Sequence, residues 1–119
     1  MKLMLPVLLY LLATSAHAGD VEIVNAEARK TGDNAFSFNV TLKHGDTGWD
    51  HYADQWQVWT NDGKLLGTRT LYHPHVEEQP FTRSLGNVNI PADVSSVLIK
   101  ARDKVHGVSP NTYPVDLPR

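Results

Sequence analysis

Phe36, Phe38, Val40 and Leu42 alternate without a break with Ser37, Asn39 and Thr41. An apolar side chain at every second residue is the period of a strand with one face buried, and it cannot form the 3.6-residue stripe of an amphipathic helix. Nothing after residue 18 sustains a helical period; shorter alternating runs recur instead. Val21 to Ala28 and Tyr52 to Thr60 are two of these, the second placing Trp56 and Val58 on one face and Gln57 and Trp59 on the other. Asn61-Asp62-Gly63-Lys64 is a hairpin turn, because Asp-Gly tolerates the positive φ of a tight connection. Leu65 to Leu71, Phe81 to Val88, Val97 to Asp103 and Thr112 to Leu117 follow as strands, and Pro114 restricts the last to a sheet edge. Seven short strands at this spacing predict an all-β fold, an immunoglobulin-like or fibronectin-like antiparallel β-sandwich.

The first residues differ in kind. Lys2 precedes an apolar run from Leu3 to Leu12, and Ala16-His17-Ala18 supplies a small-x-small cleavage signal. That layout predicts a cleaved signal peptide over residues 1–18, a single sandwich domain over 19–119, and a periplasmic or secreted product. The apolar run is too short to span a bilayer, and no later segment is apolar enough, so no membrane span is expected after cleavage. Cleavage after Ala16 instead would leave His17 as the N-terminal residue, whose amine and imidazole together chelate copper(II) in the manner of a histidine brace. All thirteen acids lie beyond residue 18, against ten Lys and Arg, so the mature chain is mildly acidic without a basic stripe and nucleic acid is not an expected partner. The chain contains no cysteine, and both methionines precede residue 5. Packing alone must hold the domain, and soft sulfur ligands are absent from it.

Strand direction gives the sharpest functional expectation. In an antiparallel sandwich successive connections alternate between the two ends. Lys43 to His51, Tyr72 to Pro80 and Lys104 to Asn111 then share one end, and they carry His44, His51, His73, His75 and His106. Neutral imidazole is the commonest ligand of zinc, copper(II) and iron. Asp46, Asp50, Asp54, Glu77, Glu78 and Asp103 flank these histidines as further ligands or as acceptors that orient the rings. His73-Pro74-His75 presents two imidazoles from one stiff extended segment. Trp49, Tyr52 and Tyr72 lie in the same region, to stack on a ligand or to pack the loops down.

The run His51-Tyr52-Ala53-Asp54-Gln55-Trp56-Gln57-Val58-Trp59-Thr60-Asn61-Asp62-Gly63-Lys64 resembles the iron-binding domain of superoxide reductases and desulfoferrodoxins, in which a ligand histidine precedes a tryptophan-bearing strand and an Asp-Gly hairpin. Asp103-Lys104-Val105-His106-Gly107 is similar to that family's Cys-Asn-x-His-Gly segment. The resemblance extends from about His44 to Gly107 and implies the same immunoglobulin-like fold. It implies His44, His51 and His106 as metal ligands and sets Asp103 where the family carries its axial cysteine. The family's earliest histidine has no counterpart between Asp20 and Arg29. Superoxide reduction there depends on thiolate donation to iron, which an aspartate does not supply.

The expectation is therefore an exported protein that binds a divalent metal ion (iron, zinc or copper) through His44, His51 and His106, with His73 and His75 as supplements and Asp103 as a replacement ligand. Its role would be that of a carrier, sensor or buffer rather than an enzyme. Two alternatives compete with it: an interaction module that binds a partner protein or glycan without metal, and a small redox or hydrolytic metalloenzyme with water at an open coordination position.

Overall fold

The structure is a computed structural model and describes residues 20–119; the expected signal peptide, with His17, lies outside the described residues. Seven strands follow one another: β1 (Glu22–Gly32), β2 (Ala35–Lys43), β3 (Ala53–Thr60), β4 (Leu65–Thr70), β5 (Phe81–Asn89), β6 (Ser96–Asp103) and β7 (Gly107–Asp116). They form two antiparallel sheets, ordered β1-β2-β5 and β4-β3-β6-β7. Among the described residues no helix is long and apolar enough to cross a membrane.

The central strands behave as their alternation predicts. Phe36, Phe38, Val40 and Leu42 of β2 are fully buried and face Trp56 and Val58 of β3 and Val97, Ile99 and Ala101 of β6 across the core. Each such apolar side chain contributes roughly 1.5–3 kcal/mol by leaving water, and this apolar layer holds a domain that has no disulfide. On the other face of β3 the Trp59 ring lies beneath the Lys100 ammonium (4.6 Å), and its Nε1 donates to Gln57.

The edges depart from the pattern. β1 runs on to Gly32, well past Ala28, because β2 pairs with it along its whole length before the turn at Asp33-Asn34. In β5 the pairing with β2 slips between Phe36 and Phe38, where Gly86 and Asn87 (φ 56°) form a bulge that simple alternation does not reveal. β7 begins at Gly107, five residues before the expected Thr112. Gly107 takes φ +73° in the turn, so the chain reverses almost at once after β6 and pairs Asp103 with Gly107. Pro114 sits on this outer strand, as a residue without an N–H requires. The Asp62-Gly63 hairpin forms as expected, with Gly63 at φ +93° and Thr60 N donating to Lys64 O (2.8 Å).

Three connections leave from the same end of the sandwich. They are residues 44–52 between β2 and β3, residues 71–80 between β4 and β5, and residues 104–106 between β6 and β7.

Candidate metal centre

The last residue of β6 organises that end. Asp103 is fully buried, and the turn after it wraps its carboxylate: Val105 N and His106 N donate to Oδ1 at 2.8 and 2.7 Å. This is the local bonding by which an aspartate shapes its own turn. It also places the His106 ring over the carboxylate, with Nδ1 3.1 Å from both oxygens. Burial alone would push the Asp103 carboxyl up, but the N–H groups of His106 and Val105 and the His106 ring outweigh it and hold the group below the usual carboxylate range. Asp103 is a buried anion near neutral pH.

Two more imidazoles approach it from the β2–β3 connection. His51 Nε2 lies 3.4 Å from Asp103 Oδ1 and His44 Nε2 lies 3.9 Å from Oδ2. The His44 and His51 rings meet edge to face at 4.8 Å between centroids, and His51 and His106 at 5.0 Å. His51 Nε2 is buried and makes no hydrogen bond. Ligand atoms of His44, His51 and Asp103 lie within 4.8 Å of one another, and so do those of Asp103, His106 and Asp20.

The loop that brings His44 and His51 here is tied down by polar groups. Gly48 closes a tight turn in the left-handed region (φ +149°), with His51 N donating to Gly48 O and Thr47 N to His51 O. Asp46 is buried and accepts from Ala53 N (3.0 Å), from His75 N (2.8 Å) and from the Nδ1–H of His44. A carboxylate on Nδ1 fixes the tautomer and turns Nε2 toward Asp103, the arrangement of carboxylate–histidine pairs at metal sites. Gln79 joins the same two connections, accepting from His44 N (2.9 Å) and donating to His75 O (2.8 Å).

His73 and His75 occupy the same end but keep different company. Their rings pair at 4.6 Å, and His75 stacks flat on Phe81 (3.9 Å, 9°). Arg83 Nη2 donates to His75 Nε2 (2.9 Å), so this nitrogen is an acceptor and the ring is neutral. Burial first, then the Arg83 guanidinium and His73, hold the His75 imidazole below its ordinary range. Neither residue belongs to the two convergent groups.

Of the flanking acids, Asp46 and Asp103 reach the rings. Asp54 pairs with Arg102 (3.5 Å), and its carboxyl is raised, chiefly by burial, against the lowering effect of that arginine. Glu78 lies 3.7 Å from Arg83. Trp49 packs edge to face on Tyr52 (5.8 Å), whereas Tyr72 is 75% exposed. Sequence reasoning passed over Asp20 and Gln79. The spacing His44-Gly45-Asp46 was a usable signal for the orienting carboxylate, whereas nothing local marks Asp20.

The two groups, His44 with His51 and Asp103, and Asp20 with Asp103 and His106, offer nitrogen and carboxylate donors of the kind that suit zinc, copper(II) or iron(II), and they contain no sulfur.

No family model matches the chain, and no solved structure matches it. A protein of Halomicrobium mukohataei that carries the name "Putative lipoprotein" is 38% identical over 97 residues, covering 82% of this chain and 47% of that protein. The chain thus spans about half the length of that relative.

Proposed function

We propose that this is an exported metal-binding β-sandwich whose centre is formed by His44, His51, Asp103 and His106. One observation carries the reading: three imidazoles close on a single fully buried carboxylate, and one of the ring nitrogens, His51 Nε2, is buried without a hydrogen bond. A buried polar atom without a partner costs about 1–3 kcal/mol, and a shared cation relieves that cost for the whole group. Export is supported by the N-terminal pattern and by the name of the relative from Halomicrobium mukohataei.

The sheet order, with the fourth strand beside the third, supports a fibronectin-like reading of the sandwich, the type that the resemblance to the superoxide reductase iron domain also implies. In this reading Asp103 takes the place of that family's cysteine ligand. An aspartate does not supply the thiolate donation on which superoxide reduction in that family depends, so the role is carrying, sensing or buffering metal in the periplasm or outside the cell. A second reading, in which the same end docks a partner, rests on the exposure of Trp49 (62%), Tyr72 and Val105 around the centre.

Elemental analysis of untagged protein decides between them. At least one equivalent of divalent metal is expected, lost in a His51→Ala/His106→Ala variant. Metal-free protein that shows no thermal shift with zinc, copper, nickel or iron would leave only the docking reading.

A further inference from the structure

The centre has a second side. Asp20 precedes β1, and its neighbour Val21 is fully buried in the core, so the backbone at this point is anchored and does not trail from the domain. One of its carboxylate oxygens, Oδ2, is buried and has no hydrogen-bond partner. Ligand atoms of Asp20, Asp103 and His106 lie within 4.8 Å of one another, as do those of His44, His51 and Asp103. The two groups share Asp103 alone.

We infer that Asp103 bridges two divalent cations, one held by His44 and His51 and the other by Asp20 and His106. Both oxygens of Asp103 face imidazole nitrogens of the cluster. Oδ1 faces His51 and Oδ2 faces His44, while the His106 ring is equidistant from both oxygens. Bridging carboxylates commonly hold two ions about 3.5–4 Å apart. Asp20, Asp46 and Asp103 supply three carboxylates at the cluster, and no Lys or Arg forms an ion pair with any of them among the described residues, so the cluster attracts cations. The inference rests on the metal-binding reading above and adds to it a second position and a ligand, Asp20.

The test is a stoichiometry. The full chain is exported, purified without an affinity tag, checked for its N-terminus by mass spectrometry, stripped, loaded with zinc and desalted before elemental analysis. Two equivalents are expected in the wild type and one in Asp20→Asn, with the thermal unfolding of the metal-free variant unchanged. Copper(II)-loaded wild type should show the weakened, spin-coupled resonance of a pair, and Asp20→Asn the full signal of one isolated ion. One equivalent in both proteins overturns the second position and leaves the first reading standing. One equivalent in the wild type, bound more weakly in Asp20→Asn, makes Asp20 a ligand of a single ion and equally overturns the bridge. No metal in either protein overturns both.

Discussion

His51 and His75 hang from neighbouring loops at one end of the same sandwich, and both rings are largely enclosed. His51 Nε2 faces the buried carboxylate of Asp103 at 3.4 Å, whereas His75 Nε2 accepts a hydrogen bond from the guanidinium of Arg83 at 2.9 Å. An anion behind an imidazole raises its basicity and draws a cation toward it. A cation in front of it occupies the lone pair that would ligate, and it repels a second positive charge. Position in the chain therefore does not separate candidate ligand histidines from packing ones here; the sign of the nearest charged neighbour is the feature that differs. The aromatic partner adds to the contrast, because His75 lies flat on Phe81 as part of the packing of β5, while His44 and His51 meet other imidazoles.

The contrast is broken most severely at Asp103. Asp103→Ala removes the acceptor of two backbone N–H groups and of the His106 ring, and it should cost about 2–3 kcal/mol in urea unfolding of the metal-free protein. The same change should abolish metal retention through dialysis; retention at wild-type level would remove Asp103 from the ligand set. Asp46→Ala comes next. It strips Ala53 N, His75 N and His44 Nδ1 of their shared acceptor, so stability should fall by about 2 kcal/mol and zinc affinity by roughly 10- to 100-fold through misorientation of His44. Calorimetric titration of folded variant reads the second effect separately from the first.

On the other side of the contrast the effects are smaller. The His75 imidazole is held below its ordinary range by burial, by Arg83 and by His73, against the opposing pull of Glu78 and Asp46. The unfolded chain therefore takes up the proton first, and stability should fall as pH drops through the ordinary histidine value near 6.5. The loss should level off once the pH passes below the folded-state value. His75→Gln, whose side-chain oxygen can still accept from Arg83, should cost on the order of 1 kcal/mol at pH 8. It should also flatten the dependence of the urea midpoint between pH 7 and 5, and an unchanged slope would assign that dependence to other groups. Smallest of all, His73→Ala removes an exposed ring that bonds to its neighbour's carbonyl and lies 4.6 Å from the His75 ring. It should move stability by less than about 0.5 kcal/mol and leave metal content unchanged. A loss of metal in this variant would join the two histidine groups into one site.

The alternation of Phe36 to Leu42 and the Asp62-Gly63 turn were enough to read the sheets, because a period of two and a glycine-dependent turn are local properties of the chain. The gathering of five histidines at one end was equally legible, since it needs only the antiparallel order of the strands. What escaped was non-local. The Arg83 guanidinium reaches His75 from β5 and Asp20 reaches Asp103 from before β1, and no spacing in the sequence records such meetings. The early start of β7 was hidden for another reason: Gly107 permits a sharp reversal, but a glycine marks an opportunity to turn without fixing how many residues the turn uses. Asp103 could be read as a turn former ahead of His106-Gly107, yet its complete burial depends on the imidazoles that cover it.

That burial has a mechanical consequence for a chain with no cysteine. Asp20, His44, His51, Asp103 and His106 are scattered along almost the whole domain, and they are gathered at one point. An ion held there cross-links the start of the first strand, the β2–β3 loop and the end of the sixth strand. It closes long stretches of chain as a disulfide would, but by bonds that a chelator can undo. An ion that binds only the folded chain adds about 2.7 kcal/mol at a hundredfold excess over its dissociation constant. The lifetime of such a protein outside the cell would then follow the supply of metal rather than the redox state of its surroundings.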